Sequence, residues 1–497
     1  MRRARPLVLL LAGWALLLAA WAGANPPFAA PDETAHYSRA IEVGGGELIG
    51  EHAPEDVVGV PLYEVATLRE TTYRVRIPGG LQPASAGCFV HDPKISAACG
   101  AGYQVPPEAT VISTHVGDYQ PLPYVAVGLA ERLGHDPFGA LRLGRAAAAV
   151  GALLLLSAAG WLVFDGSAIS LAGLLLAATP MTLYVGSIVS GSGLEVAAGI
   201  AFAAALLRLA RDGARRAAWV LAAVSGAVLA LSRSLGVLWL ALDLVWFAAL
   251  VGPRAGGELL RREKRFAIPA SATLILAVVL NRVWEALYGQ HVPVGLVGLR
   301  HAVRVALEAV PGWWDQLIGR FGYLEMVLPI PLLLLWGLAV IALVVLAARL
   351  ARGRERVVVL ALAAGALVVL PVALQSLSFR FTGFGLQARH FLGFAVAVPL
   401  LAGDIVTRHA MQLDARVRRV LPLAAGTVAG VVQFGAWWFY ARRSAVGVDG
   451  PFAFLGKAEW TPWAGWGLWL AFALVGSLLL AAAPLLSRRL EQRPRGG

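Results

Sequence analysis

The densest group of side chains able to do chemistry lies near the start of the chain, in Pro31-Asp32-Glu33-Thr34-Ala35-His36-Tyr37-Ser38-Arg39. On a helix, His36 stands four residues from Asp32 and three from Glu33, and Arg39 stands three from His36, so these groups share one face. Beside a membrane, a carboxylate on that face can accept a proton from a sugar hydroxyl while a cation holds a phosphate. The pattern also has a structural reading. Pro31 suits the first turn of a helix, and acidic residues just after it complement the positive end of the helix dipole. The two readings are compatible, since one carboxylate can cap while the other reacts.

The elements that must position this group are membrane helices. The 497 residues are 58% hydrophobic and 14% charged, with mean hydropathy +0.69, whereas about a quarter of a soluble protein is charged. An all-α polytopic membrane protein is the expected class. The formal charge of +12, from 42 Lys+Arg against 30 Asp+Glu, would suggest a nucleic-acid partner if the basic residues formed one patch. They are spread along the chain, so no nucleic acid is expected.

A span needs about 20 mostly apolar residues. Twelve are read, at 6–24, 141–163, 168–187, 193–207, 217–232, 235–252, 266–286, 327–348, 357–374, 390–407, 420–440 and 464–486. Of these, 193–207 is short, and only Ser232-Arg233-Ser234 separates 217–232 from 235–252.

Basic residues set the orientation, because short cytoplasmic loops carry excess Lys and Arg. With the amino terminus inside, the clusters around Arg2, Arg208, Arg211, Arg215, Arg261, Lys264, Arg352, Arg354, Arg416, Arg419, Arg493 and Arg495 all fall on the cytoplasmic side. Both termini are then cytoplasmic. Four regions follow: a first helix over 1–24, an external region over 25–140, eleven helices over 141–486, and a basic tail over 487–497. The first apolar stretch also has the layout of a signal peptide, with Arg2-Arg3-Ala4-Arg5 before it and Ala22-Gly23-Ala24 at its end. Its apolar run exceeds the roughly 7–15 residues usual for one, which favours a retained signal-anchor. Under either reading, residue 25 onward lies outside.

Residues 25–118 hold twelve acidic and five basic residues, a balance that fits an external location. Both cysteines, Cys88 and Cys99, lie here in a Gly/Pro/Ala-rich stretch, and an oxidising compartment predicts a disulfide between them. His52, His91 and His115 lack the paired spacing of a zinc site. Other polar and aromatic groups also fall on outer turns. They are Tyr119 and Tyr124 before an interfacial apolar stretch, Glu195 at a helix start, Arg233, Glu325 in the 287–326 loop, and Arg380, Gln387 and Arg389 in the 375–389 loop. Singly, each is the sort of residue that anchors or snorkels at an interface. Together they place arginine, aromatic and carboxylate groups on one face, where they could meet a lipid-linked phosphate and a sugar.

Four of these segments carry a resemblance: Pro31-Asp32-Glu33-x-x-His36, Tyr119-x-Pro121-Leu122-Pro123-Tyr124, Gly319-x-Phe321-Gly322-Tyr323-Leu324-Glu325 and Gln387-Ala388-Arg389-His390. They resemble recurring motifs of a bacterial family of predicted polytopic membrane proteins of unknown function. That family in turn resembles the GT-C glycosyltransferases, whose first external loop carries an acidic pair at the active site and whose donor is commonly a polyprenyl-phosphate sugar. The resemblance implies a site facing outward from the bacterial cytoplasmic membrane and a cell-envelope glycan as acceptor. It makes Asp32 the leading general base, with Glu33 as its neighbour or a metal contact. His36, Arg39, Tyr119, Tyr124, Glu195, Arg233, Glu325, Arg380, Gln387 and Arg389 are the candidate substrate-binding residues. No cofactor is specified, and a divalent metal is left open. Glu325 stands where the pattern leads one to expect Asp, and His390 where it leads one to expect Tyr.

Two other classes compete. A transporter or flippase of lipid-linked glycans places ionisable groups near the bilayer midplane, whereas the spans here are nearly empty of them, and the clearest cases, Asp243 and Asp404, lie close to helix ends. A non-enzymatic envelope-assembly protein is the third reading.

Overall fold

The computed structural model describes residues 5–58, 68–84, 86–100, 108–211, 216–289, 297–382 and 384–491. Arg2, Arg3, Arg215, Arg493 and Arg495 of the expected basic clusters, and the tail beyond Glu491, lie outside the described residues.

The chain is an all-α polytopic membrane protein. After α1 (Arg5–Ala24) comes an excursion containing α2 (Glu33–Gly44), an antiparallel sheet of β1 (Glu51–His52), β2 (Tyr73–Ile77) and β3 (Thr110–Thr114), and α3 (Leu122–Glu131). The middle of the chain forms α4 (Pro137–Val163), α5 (Leu171–Ala177), α6 (Pro180–Val185), α7 (Gly191–Ala210), α8 (Arg216–Ser232), α9 (Gly236–Val251), α10 (Pro253–Arg262) and α11 (Lys264–Tyr288). The remainder forms α12 (Leu299–Gly319), a hairpin of β4 (Arg320–Phe321) and β5 (Met326–Val327), α13 (Ile330–Leu350), α14 (Arg354–Thr382), α15 (Arg389–Arg408), α16 (Ala415–Val446) and α17 (Gly465–Glu491).

Among the described residues, nine helices are long and apolar enough to cross a membrane: α1, α4, α7, α11, α13, α14, α15, α16 and α17. A tenth comes from α9 and α10 taken together, bent by 104°. The bend falls where Gly252 adopts φ +83° and Pro253 follows, so α10 leaves the axis of α9. The segment 217–232 is the shorter apolar helix α8. The segment expected as a span over 168–187 is instead two short helices, α5 and α6. Pro180 cannot donate to the preceding turn, and Thr179 accepts from the Thr182 amide at 3.1 Å to start α6 afresh. Every residue of both helices is buried, so the pair is enclosed by protein rather than facing lipid. The stretch expected as a loop over 375–389 is helical as far as Thr382. Asp243, read as near a helix end, sits in the middle of α9.

Charged groups gather at two opposite ends of the bundle. At one end Asp404 accepts from Arg211 and from Arg408 Nε at 2.8 Å, while Glu355 pairs with Arg408 and with His409 at 2.9 Å. The other end holds the 25–140 excursion and the starts of α7 and α15.

On that second end, α2 and α3 lie side by side in parallel. Gly128 sits on the Ala40 carbonyl, and Gly44 sits on the Gly128 backbone, so a Cβ at either position would collide with main chain. Val75 and Ile77 of β2 join Phe28, Tyr37, Ile41 and Val127 in one apolar core beneath these helices. Below that core, Trp21, Tyr184, Phe321 and Tyr440 form a closed aromatic tetrad, every pair of rings being 4.9–5.8 Å apart. The tetrad ties α1, α6, the β4–β5 hairpin and α16 together. It is the floor on which the candidate site rests.

Candidate functional site

Asp32 occupies the position just before α2 in a left-handed conformation, φ 58° and ψ 15°, and its side chain makes no capping hydrogen bond. Its carbonyl accepts from the His36 amide at 2.9 Å, so the backbone alone starts the helix. The carboxylate is thereby released from the capping role. Its Oδ2 accepts from Arg389 Nη2 at 2.7 Å, and its Oδ1 lies 3.7 Å from His115 Nε2. The side chain keeps 32% of its exposure. Burial would raise the Asp32 pKa, but the contact with His115 and the charge of Arg389 outweigh it and hold the group well below the usual carboxylate range.

Glu33 is placed differently. It is fully buried, its two oxygens accept from Arg145 Nε at 2.8 Å and Nη2 at 2.5 Å, and the Val189 amide adds a third bond at 3.2 Å. Arg145 also donates to the carbonyls of Asn25 at 2.7 Å and Pro26 at 2.9 Å. A bidentate pair that also collects the chain between α1 and α2 fixes where α2 begins.

His36 lies against Tyr119 and Tyr124, with both ring centroids 5.9 Å away, and its Nδ1 is 2.8 Å from the Tyr124 hydroxyl. Burial, reinforced by Arg389, Arg233 and His115, outweighs the pull of Asp32 and lowers the His36 pKa to about 3, so the ring is neutral at physiological pH. Burial also raises the hydroxyl pKa of Tyr124 and of Tyr119. Arg233 stands over the Tyr119 ring at 5.4 Å and donates to Ser192 Oγ at 2.8 Å. His390, beside Arg389, is in electrostatic range of Arg233, Asp32 and His36. Asp32, His36, His115, Tyr119, Tyr124, Arg233, Arg389 and His390 therefore form one cluster, drawn from four separate stretches of chain.

Other residues singled out in the sequence lie around this cluster or away from it. Arg39 is buried, and its two terminal nitrogens are committed: they donate to Glu42 at 2.7 Å, to the Leu48 carbonyl at 2.6 Å and to the Tyr119 carbonyl at 2.9 Å. It holds the Tyr119 backbone in place. Glu325 pairs with Arg443 at 3.1 Å, in a turn where Gly322 adopts φ +62° with the Glu325 carboxylate packed against it. Tyr323 of the same turn is coupled electrostatically to Asp32 and has its pKa raised to about 12, first by burial. Glu195 is buried in α7, against Trp239 and within electrostatic range of Arg233. Gln387 has a buried Oε1 without a partner and donates its amide to His390 Nδ1 at 3.3 Å. Arg380 stacks on its neighbour Phe381 at 5.3 Å, at the end of α14 rather than against Asp32.

Cys88 and Cys99 form a disulfide with Cα atoms 6.1 Å apart. The loop that it closes is pinned to α16, where Arg443 donates to the Phe89 carbonyl at 2.6 Å, and it carries the His91 ring to 4.8 Å from Tyr323. The disulfide thus lies one residue contact from the turn beside Asp32.

Arg145, His115 and Arg443 were not singled out by spacing. Arg145 had a signal, being a charge within an otherwise apolar stretch, where such residues are kept for a reason. His115 had none, since it lies 79 residues from His36 and comes to Asp32 only through the sheet. Among the described residues, no group of three or more His, Cys, Asp or Glu side chains comes together to hold a metal ion.

Residues 15–398 match a family described as a predicted membrane protein, DUF2142. No curated protein and no solved structure matches the chain.

Proposed function

Because the chain belongs to the DUF2142 family of predicted membrane proteins, whose description states no activity, we propose its function from the site itself. The protein is a GT-C-like glycosyltransferase of the bacterial cytoplasmic membrane, with both termini cytoplasmic and its site facing outward. It transfers a sugar from a polyprenyl-phosphate donor to a cell-envelope glycan. The observation that carries this reading is the Asp32–Arg389 pair. A partly exposed carboxylate, released from helix capping, rests on an arginine beside a neutral histidine and two tyrosines.

At rest, Arg389 holds Asp32 as a weak base. The donor phosphate competes for the same guanidinium, and its arrival draws Arg389 away and raises the basicity of Asp32. Asp32 then takes the proton of an acceptor hydroxyl as that oxygen bonds to the anomeric carbon. The bond from that carbon to the phosphate oxygen breaks, and the configuration inverts. The leaving phosphate carries its charge onto Arg389, with Arg233 in support. Neutral His36 orients Tyr124 and adds no positive charge that would trap the carboxylate. Glu33 has a positioning role in this scheme, held away from the reacting atoms by Arg145.

The test compares envelope glycans and polyprenyl-phosphate sugars in cells carrying the wild-type protein, Asp32→Asn, or neither. Loss of the same glycan in the variant and the deletion, with a lipid-linked sugar accumulating and the variant stably present, supports transfer. Wild-type glycans in Asp32→Asn would remove Asp32 from the chemistry.

A second reading, transport of a lipid-linked glycan, draws on Glu195 and Asp243. Both are buried within apolar helices, and Asp243 has only Trp246 Nε1, at 2.7 Å, on one of its oxygens. Under that reading Glu195→Gln and Asp243→Asn abolish function while Asp32→Asn does not.

A further inference from the structure

α1, α4 and α17 enclose a groove that the proposed reaction does not use. Near the Leu7 end of α1 the helices close up, and a Cβ on Gly160 of α4 would already touch Leu7 and Leu11 at 3.0 and 3.7 Å. α17 stays against α1 throughout, with Gly13 on Leu480 and Gly23 on Trp469. Towards the other end α4 departs from α1, and two adjoining cavities open, of about 300 Å³ and 380 Å³. Both are lined by Ala22, Gly23, Arg142 and Trp463, so they form one continuous groove.

The two halves differ in chemistry. The deeper half is walled by Ala15, Ala19, Ala146 and Ala149, whose small side chains leave width for a hydrocarbon chain, with Leu153 and Phe472 completing the apolar lining. From Arg142 to Leu153 this wall follows α4 for about 16 Å at a rise of about 1.5 Å per residue. The upper half adds Asn25, Asp136, Arg145 and Thr461. Two of those charges are already matched. Asp136 Oδ1 caps α4, accepting from the amides of Phe138 at 3.0 Å and Gly139 at 2.9 Å, and Arg145 is paired with Glu33. Arg142 stands at the junction with its guanidinium over the Trp463 ring at 5.4 Å. An empty groove in the hydrocarbon layer forfeits dispersion contacts along its whole lining, and an arginine at its mouth matches a phosphate.

We propose that this groove binds one anionic phospholipid of the bilayer, with an acyl chain between α1 and α4 and its phosphate on Arg142. The site is separate from the proposed reaction centre. Between them runs the segment whose carbonyls at Ala22, Asn25 and Pro26 are collected by Arg145, the same arginine that holds Glu33. The lipid braces the segment that leads to Asp32 without reaching Asp32. The inference stands whichever reaction the protein performs.

Native mass spectrometry of the full chain in detergent, titrated with dioleoylphosphatidylglycerol or dioleoylphosphatidylcholine, tests it. The wild-type protein is expected to retain a first adduct of the anionic lipid with about fivefold preference, the scale of one partly solvated ion pair. Arg142→Gln is expected to reduce that ratio to near one while keeping an adduct. Ala19→Trp, which fills the chain half, is expected to lower occupancy by both lipids, and Ala149→Leu on the facing wall serves if Ala19→Trp does not fold. Equal retention of the two lipids by the wild type, an unchanged preference in Arg142→Gln, or unchanged occupancy in the filled variant that folds would each overturn the proposal.

Discussion

Asp32 and Glu33 are consecutive residues whose carboxylates serve opposite sides of the same junction: Asp32 reaches Arg389 on α15 at 2.7 Å, and Glu33 reaches Arg145 on α4 at 2.5 Å. The first is partly exposed and carries no capping duty, whereas the second is sealed in the core with three donors. One pair is placed to respond to a ligand and the other to hold the frame.

Glu33→Gln should therefore act on folding. Breaking one side of a buried ion pair costs about 3–5 kcal/mol, because the buried Arg145 charge loses its bidentate partner. Thermal unfolding in detergent should show a large drop for Glu33→Gln and a much smaller one for Asp32→Asn. Equal effects of the two would contradict the division of roles.

Arg389→Gln should move a pH profile. Removing the arginine leaves burial less opposed, so the Asp32 pKa rises, and the acid limb of transfer activity shifts to higher pH. Donor KM should rise as well, and Arg389→Lys should recover part of both effects. An unmoved acid limb with only KM altered would mean that Arg389 binds donor without controlling Asp32.

His36 makes the fold acid-sensitive. Its folded pKa of about 3 lies below the value of about 6.5 for a free histidine, so the unfolded chain takes up the proton first. The associated stability is complete above about pH 6.5 and is lost as pH falls towards 3. The melting temperature of the wild type should fall across that window, and that of His36→Gln should fall less steeply. Parallel slopes would place the acid sensitivity elsewhere.

The Cys88–Cys99 bridge closes a short loop, for which loss of a disulfide costs about 2–4 kcal/mol. In Cys88→Ser the Arg443 contact with the Phe89 carbonyl should loosen. Limited proteolysis should then cut within 88–99 first, and a thiol reagent should label Cys99. Persistent protection of that loop would show that Arg443 and the neighbouring contacts suffice to hold it.

Sidedness is open to reporter fusions. A fusion within 254–262 should read cytoplasmic and one within 45–58 external, since the two ends of the bundle segregate Arg211 and Asp404 from Asp32 and Arg389. The reverse result would invert the proposed orientation.

Composition and hydropathy by themselves determined that the chain is a polytopic helical membrane protein, because burial in lipid demands long apolar runs that local sequence must supply. The approach of His36 to Asp32 was equally legible, since residues four apart at a helix start are neighbours by local geometry, whereas Glu33 does not share their face. Which carboxylate faces a ligand was not legible. Asp32 and Glu33 share one spacing, and their fates are set by arginines 357 and 112 residues away. Those arginines arrive only when α15 and α4 pack around α2. The break of 168–187 into two short helices was similarly hidden, because its composition suits lipid and protein interior alike. Only the enclosing helices decide that it is buried on every side. The groove along α1 also belongs to tertiary structure, as its alanines form an opening only where α4 diverges.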